Sequence, residues 1–190
     1  MKKFELSTET KINWFGNTLY RIKALISFTT ITGDEVKAGD LGGYVEKLEN
    51  LSQDGKAWVW GNAEVWGNAK VWGNAEVWGN AKVWGNAEVW DNAEVWGDAR
   101  LFRADHLLVV GAIGSRNDFT TFFRDKDNEI TVKCGCFCGK IVDFLKKVKA
   151  THDNSKYAVV YRAAVEVAKL QIELTPSDEE PEKDKHHETI

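Results

Sequence analysis

From Ala57 onward, apolar and polar positions follow a pattern that repeats every six residues, Ala-(Glu/Lys)-Val-Trp-Gly-Asn, with alanine at 57, 63, 69, 75, 81, 87, 93 and 99. Ala and Val lie two apart, so a short strand aims both to one side and sets Glu/Lys and Trp on the other. Gly-Asn follows, the residue types that accept the backbone angles of a tight corner. A helix is excluded, because a six-residue period scatters Ala and Val around its circumference instead of making a stripe. The segment therefore reads as stacked short strands with an Ala/Val interior. The period alone allows three hexads per coil or a two-sided roll with two. Leu41-Gly42-Gly43-Tyr44-Val45 and Asn50-Leu51 are looser copies, placed eighteen residues ahead of the 59–63 and 68–69 positions. The repeat domain is accordingly set at 41–106, with its coils running to 104.

The flanks carry other patterns. Phe4 to Thr10, Leu19 to Ile26 and Thr29 to Thr32 suit strands, and they predict a small antiparallel cap over 1–40, since an open repeat end needs covering. After the repeat, Leu107 to Val110 is apolar and Gly111 to Asp118 is a loop. Phe119 to Arg124 and Glu129 to Cys136 read as a β-hairpin. Lys140 to Lys149 carries Ile141, Phe144, Leu145 and Val148 on one helical face. A second helix follows Asp153-Asn154-Ser155, with Val160, Ala164, Val167 and Leu174 as its packed side. The C-terminal module expected over 107–174 is thus ββαα.

Counted from its aliphatic position, the unit Val-Trp-Gly-Asn-Ala-Glu resembles the hexapeptide repeat of left-handed parallel β-helices. The resemblance implies a three-sided coil of eighteen residues, and so a mainly β fold. Residues eighteen apart then stack, giving three aromatic ladders: Trp60-Trp78-Trp96, Trp66-Trp84-Phe102 and Trp72-Trp90. Charge alternates in the same register from Glu64 to Lys82 and from Lys70 to Glu88, while Lys82 under Arg100 and Glu76 under Glu94 are like-charge pairs, unfavourable when directly opposed. The wider order of segments resembles an uncharacterised family of hexapeptide-repeat proteins of phages and prophages of Gram-positive bacteria. The carrying residues are Gly39-Asp40-Leu41-Gly42-Gly43-Tyr44 with Asn50-Leu51-Ser52, the repeat, Ile113-Gly114-Ser115-Arg116-Asn117-Asp118, Cys134-Gly135-Cys136-Phe137 and Lys149-Ala150-Thr151-His152. That resemblance implies a fold and a phage context, with no established activity attached.

Composition sharpens this. The net charge of -4 comes from 25 basic and 29 acidic residues, and Ser177 to Ile190 alone holds six acids and two lysines. The rest sums to zero, so 175–190 is expected to be an acidic disordered tail. A neutral body lacks the concentrated basic field that nucleic acid or an anionic membrane surface requires. No apolar run approaches a membrane span, and no apolar stretch follows Lys2-Lys3, so a soluble, unexported chain is expected. The expected setting is the cytoplasm of a bacterial host cell.

The candidate chemistry lies in the loop. Glycine amides with one arginine suit an anion, so Gly114, Ser115, Arg116, Asn117 and Asp118, with Thr120 and Thr121 nearby, are the candidate site for a small anionic, nucleotide-type ligand such as a signal of host defence. Trp66, Trp72, Trp84 and Trp90 are candidate interface residues of a homo-oligomer, either the ladders or the C-terminal helices being the contact. Cys134, Cys136 and Cys138 alternate, a spacing that zinc sites seldom use, and are expected to be buried free thiols. No metal or cofactor is expected. His106, beside Asp105 at the end of the coils, would serve an acyltransferase as general base. The expectation is a non-enzymatic binding or interaction protein, with a structural oligomeric scaffold and a hexapeptide-type acyltransferase as alternatives.

Overall fold

A computed structural model describes residues 1–174, and the expected acidic tail at 175–190 lies outside the described residues. Eight two-residue rungs succeed one another: β6 (Trp58–Val59), β7 (Glu64–Val65), β8 (Lys70–Val71), β9 (Glu76–Val77), β10 (Lys82–Val83), β11 (Glu88–Val89), β12 (Glu94–Val95) and β13 (Arg100–Leu101). Each pairs in parallel with the rung eighteen residues away, Glu64 with Lys82, Lys82 with Arg100, Lys70 with Glu88, and Glu76 with both Trp58 and Glu94. The rungs fall into three sheets, one per face. The molecule is therefore a three-sided β-solenoid of about three turns, and the two-sided roll is excluded. Ala63, Val65, Ala81 and Val83 are fully buried in its interior.

The corners follow from the Gly-Asn dipeptide. Gly61, Gly67, Gly73, Gly79, Gly85 and Gly97 all take positive φ, and Asp91, which holds the glycine place of its hexad, is forced to φ 56. Asparagine side chains then bridge coils, Asn74 donating to Asn92 at 2.9 Å.

The first coil departs from the expected register. Val45 pairs with Val65 and Leu51 with Val71, offsets of twenty rather than eighteen. Two extra residues are taken up in the corner around Asp54 and Gly55. Because the side-chain period of a strand is two, the slip leaves Val45 and Leu51 facing inward, whereas Leu41, expected in the inward place of Val59, is exposed.

Five further strands precede or open the coil: β1 (Phe4–Ile12), β2 (Thr18–Ala24), β3 (Phe28–Thr29), β4 (Glu35–Val36) and β5 (Leu41–Val45). β1, β2 and β5 pair antiparallel and extend one solenoid face into a six-stranded sheet, β1-β2-β5-β7-β10-β13. The approach is so close that a Cβ on Gly43 would stand 2.6 Å from Val59. Phe4 and Phe28 cover Trp58, and the buried Lys3 ammonium donates to the Ala57 carbonyl at 2.9 Å.

All three expected ladders form, with ring centroids 4.2 Å apart for Trp60/Trp78, 5.1 Å for Trp66/Trp84 and 5.9 Å for Trp72/Trp90. Their exposure differs from expectation. Trp66 and Trp84 are buried, because the β1–β2 turn lays Phe15 against both and Trp14 against Trp84. Trp72 and Trp90 stay exposed, since among the described residues no strand crosses their corner.

The C-terminal module has two more strands than expected. β14 (Leu107–Ile113), β15 (Asp118–Arg124), β16 (Ile130–Cys134) and β17 (Phe137–Lys140) form a four-stranded antiparallel sheet, followed by α1 (Ile141–His152) and α2 (Lys156–Gln171). β15 joins the two halves: Phe123 enters the solenoid core, while Phe122 faces the core shared with the helices. α1 buries Phe144 and Val148 with Ile141 and Leu145 packed beside them, as its periodicity predicts. α2 does not follow its prediction. It buries Ala158, Tyr161, Ala164, Val165 and Ala168, so of the expected packed side only Ala164 is inside; Val160 and Val167 are exposed, and Leu174, also exposed, lies beyond the helix. Among the described residues no helix is long and apolar enough to cross a membrane.

Candidate functional site

Where the C-terminal sheet meets the β6-β9-β12 face, the surface opens into a groove of about 340 Å³. Three separate pieces of chain build it. The β3–β4 loop supplies Thr32, rung β12 and its corners supply Asn92, Glu94 and Trp96, and the C-terminal sheet supplies Arg116, Asp118, Phe119 and Lys133. Its volume falls within the roughly 300 to 1,000 Å³ usual for small-molecule sites.

The walls are fixed by hydrogen bonds. Glu94 donates its backbone N–H to Thr121 Oγ1 at 3.1 Å, which ties the rung to β15. Its carboxylate accepts from Trp96 Nε1 at 3.2 Å and pairs with Lys133 Nζ at 2.9 Å, and the same ammonium sits 4.8 Å from the Trp96 ring. Glu76, one coil below, is fully buried and accepts from Thr32 Oγ1 at 2.8 Å and Trp60 Nε1 at 2.9 Å. Burial pushes its carboxyl above the usual range, against the pull of those donors. The two glutamates that the register stacks unfavourably thus have separate partners, Glu94 a cation and Glu76 a set of neutral donors.

The Gly111–Asp118 loop is divided by the fold. Gly114 to Asn117 form the β14–β15 turn, with Gly114 at φ 73 and Asn117 at φ 50. Gly114 packs on α2, where a Cβ would come 1.9 Å from the Tyr161 hydroxyl, so a side chain there would clash. Burial raises that hydroxyl to about 12, which keeps it neutral. Ser115 and Asn117 are exposed at the tip of the turn and outside the groove lining. Arg116 and Asp118 line the groove, Arg116 lying against Gly135. Among the described residues Arg116 has neither an ion pair nor a hydrogen bond, whereas Lys133 is committed to Glu94.

Thr120 and Thr121 are buried and serve the framework. Thr120 donates to Cys134 Sγ at 3.3 Å, and Thr121 holds the Glu94 amide. The cysteines also differ from expectation, because Gly135 takes φ 55 and turns the chain between them. Cys134 is half-buried, and Cys136 and Cys138 are exposed. Among the described residues no cluster of three or more His, Cys, Asp or Glu side chains has the arrangement of a metal site.

His106 is fully buried with its ring edge-on to Phe102, and Nδ1 accepts the Phe102 amide at 3.4 Å. Burial, aided by the Arg124 charge, lowers its pKa to about 4. A general base has to reach its substrate, and this imidazole meets no solvent.

Sequence reading located Arg116 and Asp118 but not Asn92, Lys133, Phe119 or the groove role of Trp96. Their only common property is spatial, since 23 to 41 residues separate Asn92 and Trp96 from Phe119 and Lys133. Compared with known protein families and with curated proteins, the chain matches no family model and no curated relative.

Proposed function

We propose that the protein is a non-enzymatic binding protein of phage or prophage origin, acting in the bacterial cytoplasm, that sequesters a small anionic ligand of nucleotide type in this groove. In this reading the solenoid winds left-handed and the 1–40 segment is its cap. The observation that carries the proposal is an exposed guanidinium with no ion pair or hydrogen bond among the described residues, standing over one groove with an indole, a phenyl ring, an amide and a carboxylate. Arg116 would meet the phosphate through charge-assisted hydrogen bonds. Phe119 offers a ring surface to a base beside the Trp96 indole, whose own faces meet Trp78 and Lys133, and Asn92 and Asp118 offer both polarities to its edge.

The test is calorimetry against a panel of mono-, di- and cyclic nucleotides, supported by native mass spectrometry of the freshly purified protein. A charge-assisted contact contributes roughly 1.5 to 3 kcal/mol, so Arg116→Ala should weaken binding by about one to two powers of ten and leave unfolding unchanged. Trp96→Ala should weaken it too, while Ser115→Ala and His106→Gln should not. Equal affinity in Arg116→Ala, or no nucleotide bound by the native chain, would sink the assignment. Loss of an acyl-transfer activity in His106→Gln would favour the acyltransferase instead.

A further inference from the structure

Helix α2 carries two apolar stripes. Ala158, Tyr161, Val165, Ala168 and the following Ile172 recur at intervals of three and four, and all are buried against the sheet and α1. Val160, Ala163, Val167 and Leu170 repeat the same intervals two residues later. Two residues turn a helix by 200°, so this second stripe lies on the opposite side. It is bare: Val160 is 39%, Val167 50% and Leu170 89% exposed, and Val159 beside it is 55% exposed.

From this face we infer that α2 pairs antiparallel with α2 of a second copy of the chain, across a two-fold axis. Intervals of three and four make the narrow seam by which helices pair in a two-stranded coiled coil, so a second helix is the occupant this stripe fits. Of the two described helices, α1 already occupies the inner face of α2. Antiparallel pairing centred near residue 165 sets Val160 against Leu170 of the second copy and Ala163 against its Val167. A small side chain then meets a larger one in each inner layer, all within Lys156–Gln171. The acids beside the seam are already neutralised, Glu166 by Lys169 at 2.8 Å and Glu173 by Arg103 at 2.7 Å. No uncompensated negative charge is brought together. Soluble monomers rarely expose apolar patches beyond a few hundred Å². The seam from Val160 to Leu170 runs about three helical turns, with Val159 widening it on one side.

Light scattering and native mass spectrometry of the full chain test the pairing, with circular dichroism as the check on folding. The wild type should be a dimer at micromolar concentration. Leu170→Glu, at a side chain almost wholly in solvent, should keep the fold and halve the mass. Val160→Lys alone should do the same. The double variant Val160→Lys/Leu170→Glu should recover the dimer, because the two new charges face each other across the axis only in the antiparallel register. A monomeric wild type, a dimer indifferent to Leu170→Glu, or a double variant that stays monomeric would each overturn the inference.

Discussion

Burial decides the chemistry of His106, and the result is a pH-dependent cost. Its folded pKa is about 4, against an ordinary 6.5. Between those values the unfolded chain binds the proton and the folded chain does not, so stability is lost as pH falls through that window. A shift of this size corresponds to about 3 kcal/mol. Urea denaturation at intervals from pH 7.5 to 4.5 should show the wild type losing stability faster than His106→Gln, with the two profiles parallel above pH 7. Equal slopes throughout would remove His106 as the cause. Glu76 acts in the opposite sense, because burial raises its pKa and stability on that account falls as pH rises past the ordinary carboxylate range. Comparing each variant with wild type at matched pH separates the two.

The rung and its corner form the repeating element, and their sequence rule has one flaw. Asp91 takes φ 56 where its counterparts are glycine. A non-glycine residue there costs about 1 kcal/mol, somewhat less for aspartate. Asp91→Gly should therefore raise the unfolding midpoint slightly, while Gly73→Ala, whose Cβ would come 3.0 Å from the Asp91 amide, should lower it. Thermal denaturation of the two variants checks both signs. Element by element, legibility tracked periodicity. The rungs, the ladders and the inward face of α1 follow from spacing, because each has one apolar side and one period. α2 was misread because both of its faces are apolar at the same interval, and periodicity cannot rank two equal stripes. The twenty-residue first coil was invisible for a related reason, since a slip of two keeps the in/out alternation on which the reading rested. Trp66 and Trp84 were assigned outward correctly and free wrongly: the pattern gives a direction, not what lies in that direction. In the site, Arg116 and Asp118 stood out as a polar cluster beside glycine, whereas Lys133 and Asn92 acquire meaning only when the coil and the sheet meet.

For the whole molecule, the solenoid is a ruler on which two dissimilar attachments are placed. The N-terminal strands lie along one face, Thr32 reaches Glu76 on a second, and β15 is bonded to rung β12 on that second face through Thr121 and Glu94. The groove exists only because the last two fall on the same side. Removing residues 67–84 takes out one full coil and preserves that alignment, with Trp60 stacking on Trp96 in place of Trp78. Removing residues 67–72 takes out one rung and turns everything after it by a third of a revolution. The longer deletion should retain cooperative unfolding and native-like near-ultraviolet circular dichroism, and the shorter one should lose the near-ultraviolet signal. If the shorter deletion proved the milder one, the three-sided register would be wrong.

That arithmetic reaches beyond the folded chain. Near-identical hexads imply near-identical tandem stretches in the gene, where a copying enzyme loses or gains units by slippage. Slippage by one or two hexads rotates the C-terminal module away from Thr32 and opens the groove, so such lengths should be purged. Slippage by three leaves the faces in phase and changes only the height of the stack. Inherited length in this protein should therefore vary in steps of eighteen residues, a quantum set by the number of sides on the coil.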